Sequence, residues 1–99
     1  MKKTNYFSKY FESVGQNLNT IDPTQLEQAA SMVWAAHKAE KKVIIAGNGG
    51  SAAMASHVAV DFTKAACIRA INFNEADLIT CFANDYGYEN WVGKALEAY

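Results

Sequence analysis

The stretch that most restricts this chain runs from Lys42 to Asp61: Lys-Val-Ile-Ile-Ala-Gly-Asn-Gly-Gly-Ser-Ala-Ala-Met-Ala-Ser-His-Val-Ala-Val-Asp. Val43 to Ala46 is a short, β-branched apolar run, the pattern of a strand buried on both faces of a parallel sheet. Gly47, Gly49 and Gly50 break that strand. Ser51 follows as an expected N-cap for an alanine-rich helix running to about Lys64. A strand, a glycine turn and a helix N-terminus in that order form an anion site. Glycines let backbone N–H groups approach a ligand, and the helix end adds partial positive charge.

The totals narrow the class. Hydrophobic residues make up 51% of the 99 and charged residues 19%, a globular and not a disordered composition. A net charge of −1 gives no basic footprint for nucleic acid, so nucleic acid is not an expected partner. No run approaches a membrane span, and no apolar segment follows Met1-Lys2-Lys3 as in a secretory signal. A membrane partner is likewise not expected. Cys67 and Cys81 show no metal-like spacing and read as buried, reduced thiols of a cytoplasmic protein.

Two helices precede this stretch. From about Thr4 to Leu18, Phe7, Phe11, Val14 and Leu18 share a face that Tyr6 and Tyr10 widen. Such a stripe suits packing against another subunit or within the chain. Asp22 then caps a helix with Pro23 at its first position, running to about Glu40, with Leu26, Ala29, Ala30, Val33 and Trp34 on its buried side. His37 reads as a surface residue in the last turn. Beyond the glycine motif, Cys67 to Phe73 reads as a second strand, joined by a right-handed βαβ crossover. A short helix over Ala76 to Ala83, the turn Asn84-Asp85-Tyr86-Gly87 and a helix from near Tyr88 with Trp91, Val92, Ala95 and Leu96 complete the chain. The fold class is α/β, in one domain: a helical segment over 1–40, then the start of a parallel sheet over 41–99. Two parallel strands leave faces and edges to cover, so the expectation is the first half of a larger α/β domain.

Several residues have chemistry to offer. Gly47-Asn-Gly-Gly-Ser-Ala52 satisfies the loose dinucleotide pattern G-x-G-x-x-A, with Glu75 as a conceivable ribose partner. The Ser51 hydroxyl at the helix start, and His57 with Asp61 further along, suit a small phosphorylated ligand instead; a structural turn is the third reading. His57 and Asp61 are four apart, so their Cβ atoms lie about 5–6 Å apart on one helix face. Flanked by Val58, Ala59, Val60 and Phe62, they would be costly to bury without a purpose. They could hold a metal, move a proton, or only bond to each other. Asn84-Asp85 reads either as a turn before a capped helix or as acceptors for ligand hydroxyls beyond the strand ends.

Gly47-Asn-Gly-Gly-Ser51, His57 with an acid at 61, and Asn84-Asp85-Tyr-Gly-Tyr88 together resemble the sugar isomerase (SIS) domain family, on its phosphoheptose isomerase branch. The resemblance covers nearly the whole chain. It implies the N-terminal part of a parallel-sheet, three-layer sandwich preceded by two helices, in a cytoplasmic homotetramer. The implied reaction is a ketose–aldose conversion of sedoheptulose 7-phosphate or a similar sugar phosphate, part of carbohydrate metabolism for surface polysaccharides. By that resemblance Asn48, Gly49, Gly50 and Ser51 contact substrate. His57 is a zinc ligand, and Asp61 is catalytic and touches both metal and substrate. Asn84 and Asp85 hold the sugar. The sequence departs from the family in having Asp61 where a glutamate is usual. The family's serine-rich phosphate loop, a further histidine and the remaining metal ligands are not in these residues, so the 99-residue piece is expected to be inactive alone. The alternative reading is a non-catalytic phosphosugar-binding or assembly module of the same fold, of the type that binds a replication initiator.

Overall fold

A computed structural model describes residues 3–99, with the side chains from Asn5 onward. The start Met1-Lys2, part of the signal-peptide reading above, lies outside the described residues. The chain divides into two compact units, residues 1–32 and 33–99.

The first unit holds helix α1 (Lys3–Asn19) and most of α2 (Pro23–Lys38). Asp22 caps α2 as its sequence predicts: Thr24 N–H donates to the Asp22 carboxylate at 2.9 Å. The aromatic stripe of α1 forms, with Tyr6 and Tyr10 stacked at 6.5 Å between ring centroids. Tyr6, Phe7, Tyr10 and Phe11 are all exposed. The expected buried side of α2 is not buried: Leu26 and Trp34 are exposed and no residue of the helix is fully covered. Periodicity marks an apolar face but does not supply its cover.

The second unit carries the sheet. Strand β1 (Val43–Ile45) pairs in parallel with β2 (Ala70–Asn72), in the register Val43 to Ala70, Ile44 to Ile71 and Ile45 to Asn72. Helix α3 (Gly50–Lys64) is the crossover, and its buried Ala55 and Ala59 lie against one sheet face. Small side chains there let helix and strands approach closely. The other face presents Ile44, Ile71 and Phe73 to α4 (Ala76–Tyr86) and α5 (Trp91–Leu96), which a 3₁₀ turn (Tyr88–Asn90) joins. Phe73, Trp91 and Ala95 form the buried centre, with Leu78, Ile79, Phe82 and Val92 packed around it. Helices therefore flank the strands on both sides.

Two boundaries differ from expectation, each for a local reason, and so does the burial of the cysteines. Strand β2 begins at Ala70, not Cys67, because Cys67 adopts φ 55 and closes the end of α3. The Ile68 N–H there reaches back to the Phe62 carbonyl at 2.8 Å. Cys67 and Cys81 are both exposed, not buried. Helix α4 continues through Asn84 and Asp85 to Tyr86, because Gly87, at φ 87, is the first residue suited to end it.

Candidate functional site

The glycine turn sits at the carboxyl ends of the two strands, and its geometry explains its composition. Ser51 N–H donates to the Asn48 carbonyl at 3.1 Å, closing a four-residue turn. Gly49, first of its two central residues, has φ 58 and ψ −122, the type II′ conformation that glycine alone adopts without strain. Gly49 is thereby the N-cap of α3, and no side chain caps that end. The expectation for Ser51 fails for this reason: the tight turn starts the helix two residues early. Ser51 lies inside its first turn, exposed, with its hydroxyl at the positive end of the helix. Gly47 is required by space. A Cβ there would lie 2.2 Å from the Ser51 carbonyl oxygen.

The residue that holds the turn is one the sequence reading missed. Asn74, just past β2, accepts from Gly47 N–H at 2.8 Å and donates from Nδ2 to the Gly47 carbonyl at 2.6 Å. Its own N–H bonds the Asn72 side chain at 2.9 Å, and Asn72 Nδ2 donates to Ser56 Oγ on α3 at 2.7 Å. One line of side-chain amides thus joins helix, strand and turn. A polar residue at a strand's carboxyl end was the available signal. Tyr88 is the second omission. Its hydroxyl donates to Asn48 Oδ1, and both residues line an open cleft of about 360 Å³ with Gly47, Glu89, Trp91 and Val92.

His57 and Asp61 do meet, with Nε2 and Oδ2 3.5 Å apart. They are not buried. Their side chains are 78% and 63% exposed, so the desolvation cost expected from their apolar neighbours is absent. The cause is helical phase: His57 is two residues, about 200°, from each of the buried Ala55 and Ala59. It faces away from the sheet. An imidazole nitrogen and a carboxylate oxygen are donors that zinc accepts, so the pair fits part of a metal site. Among the described residues no third His, Cys, Asp or Glu joins them.

Asn84 and Asp85 share the last turn of α4. Asn84 Nδ2 donates to Asp85 Oδ1 at 3.3 Å, and Cys81 Sγ lies 3.8 Å from Asp85 Oδ2. The Asp85 carboxylate pushes the Cys81 thiol up from its ordinary range, with a smaller contribution from desolvation. Among the described residues neither Asn84 nor Asp85 hydrogen-bonds to the glycine turn, and neither do His57 or Asp61; Tyr88 makes the link from that end of α4. Glu75 serves as N-cap of α4, accepting from Leu78 N–H at 2.9 Å. Hydrogen bonds from Leu78 and Asp77 hold its carboxyl below the usual range. It is committed to the helix and not to a ribose.

A parallel βαβ unit with a glycine turn at the carboxyl end of its strands and an imidazole–carboxylate pair on its crossover helix points to a class, and comparison with known proteins agrees. The chain belongs to the SIS domain family, whose model matches residues 7–92. Among its relatives is a phosphoheptose isomerase of Sulfurimonas denitrificans, 32% identical over 92 residues, 87% of this chain and 46% of that protein. Another, from Fusobacterium nucleatum, is 44% identical over 64 residues, 60% of this chain and 33% of the relative. The solved structure of phosphoheptose isomerase from Neisseria gonorrhoeae superposes with a TM-score of 0.82 at 27% identity, over 99% of this chain and 55% of that one. The chain spans about half the length, or less, of these relatives. The fold is the SIS-type parallel sheet flanked by helices, with two helices ahead of it in sequence.

Proposed function

We propose that the complete protein is a phosphosugar isomerase that interconverts the ketose and aldose forms of sedoheptulose 7-phosphate or a similar sugar phosphate. The observation that carries this reading is the construction of α3. That helix begins at a glycine turn with backbone N–H groups to offer, and about two turns (roughly 10 Å) later it presents His57 and Asp61 side by side. A ligand with a polar end and a carbonyl a few bonds away matches that spacing.

The reaction moves a proton between adjacent carbons through an enediol, which requires a carboxylate base. Asp61 takes that role, and His57 orients its carboxylate. Asn48, Gly49, Gly50 and Ser51 hold ligand oxygens at the helix N-terminus, and Asn84 with Asp85 accept from sugar hydroxyls. Zinc, held by His57 and Asp61 with ligands from elsewhere in the assembly, would polarise the carbonyl when bound. The protein is read as a cytoplasmic homotetramer. The exposed aromatic stripe of α1 supports self-association, and no described helix is long and apolar enough to cross a membrane.

The test is turnover of sedoheptulose 7-phosphate by the complete protein, followed by NMR with and without added zinc. Conversion is expected, and Asp61→Asn should lower kcat by about 10²–10⁴-fold while leaving binding largely intact. No conversion of any heptose phosphate under either condition would overturn the reading and leave a binding module of the same fold. Full turnover by the Asp61→Asn protein would remove Asp61 as the base.

A further inference from the structure

We infer that Tyr88 is a positioning residue, whose hydroxyl fixes the orientation of the Asn48 carboxamide at the ligand end of the sheet. The inference rests on the reading of Asn48 as a ligand contact and assigns a role to a residue that touches it from 40 positions away.

An asparagine carboxamide presents an acceptor on one side and two N–H donors on the other, and a rotation about its last bond exchanges them. An exposed Asn48 would sample both settings. The Tyr88 hydroxyl restricts that freedom by donating to Oδ1, the setting this structure shows. With the oxygen committed, Nδ2 stays without a partner among the described residues, so the donor face is the one left for a ligand oxygen. Tyr88 is itself held. Gly87, at φ 87, ends α4, and Tyr88 opens a 3₁₀ turn whose Asn90 N–H returns to the Gly87 carbonyl at 3.1 Å. The following Trp91 is buried in the core. The ring thus stands on a turn anchored at both ends, and the hydroxyl reaches the glycine loop from fixed ground. This geometry also ties the segment carrying Asn84 and Asp85 to the one carrying Asn48. Both halves of the ligand contact set are then positioned together.

The experiment compares wild type, Tyr88→Phe, Asn48→Ala and the double variant of the complete protein, with sedoheptulose 7-phosphate as the calorimetric probe. Tyr88→Phe keeps the ring and deletes the hydroxyl, and it should weaken binding about 5-fold. The same change in the Asn48→Ala background should cost nothing further, because the residue it acts through is gone. Losses that multiply, or a Tyr88→Phe protein that binds like wild type, would overturn the assignment. A ligand-free neutron crystal structure of each protein, which tells the deuterated Nδ2 from Oδ1, gives a readout independent of the ligand. Wild type should show one Asn48 carboxamide orientation and Tyr88→Phe more than one. If wild type fails to bind the probe, the functional reading has failed and the Asn48 density alone decides the positioning role. A single unchanged orientation in Tyr88→Phe sinks it.

Discussion

Replacing Gly47 with alanine tests whether the turn is built as described, because the added methyl group runs into the backbone of α3. The added Cβ would lie 2.2 Å from the Ser51 carbonyl oxygen, 2.3 Å from its carbon and 2.7 Å from Ala52 nitrogen. None of these is the tip of a flexible side chain, so the first turn of α3 or the end of β1 must shift. Either shift breaks the paired hydrogen bonds between Gly47 and the Asn74 carboxamide. Two hydrogen bonds at about 1 kcal/mol each, plus overpacking of about 1–3 kcal/mol, give a loss of roughly 3–5 kcal/mol. A small domain has only about 5–15 kcal/mol to lose. The neighbouring glycines provide the scale. Gly49→Ala meets no atom within 4 Å but must hold φ 58, at roughly 1–3 kcal/mol. Gly50→Ala meets nothing and sits at a helix start, so its effect should stay within about 0.5 kcal/mol. Urea unfolding of the complete protein and its three variants measures the ladder. A Gly47→Ala protein as stable as the Gly50→Ala protein would refute the reasoning.

Two further predictions concern the strand ends. Asn74→Asp keeps the acceptor for Gly47 N–H but sets an oxygen against the Gly47 carbonyl. It should therefore destabilise at least as much as Asn74→Ala, by about 2 kcal/mol in urea unfolding. Equal stability of Asn74→Asp and wild type would show that the Nδ2 bond contributes nothing. For Glu75 the folded carboxyl lies below its ordinary range, so its stabilisation is complete above the unfolded value of about 4.3 and is lost as pH falls through the folded value. Unfolding midpoints followed downward from pH 5 should fall less steeply for Glu75→Gln than for wild type, and parallel slopes would argue against the cap.

Much of the fold was legible because its signals are local. Val43 to Ile45 and the glycines after them announce a strand and a turn without reference to the rest of the chain. Asp22-Pro23 announces a helix start in the same way. The errors came where two local signals competed. Ser51 is a good N-cap residue, but Gly49 in a type II′ turn had already begun the helix. Asn84-Asp85 carries turn chemistry, yet Leu78, Ile79 and Phe82 keep the α4 period running until Gly87. Cys67 looked like a strand residue, but after Lys64-Ala65-Ala66 no glycine was available to close α3, and Cys67 took the positive φ. Burial was overestimated for α2 and the thiols, since a pattern of apolar residues says which face is greasy and not what lies on it. For Asn74 and Tyr88 it was the bonding partner that was out of reach. Their partners lie 27 and 40 positions away, a separation at which no periodicity speaks.

The Asn74 clamp also acts on strand alignment. Strands of three residues each are short enough to slide. A slip of one position exchanges the faces of β2, exposing Ile71 and Phe73, so burial already forbids it. A slip of two positions, near 7 Å, preserves the faces, and hydrophobicity cannot detect it. It would carry the Asn74 carboxamide away from Gly47 and strand both backbone groups. The clamp is then the device that distinguishes the native alignment from its nearest apolar equivalent. A protein with Asn74→Ala should lose definition of the sheet register as well as stability.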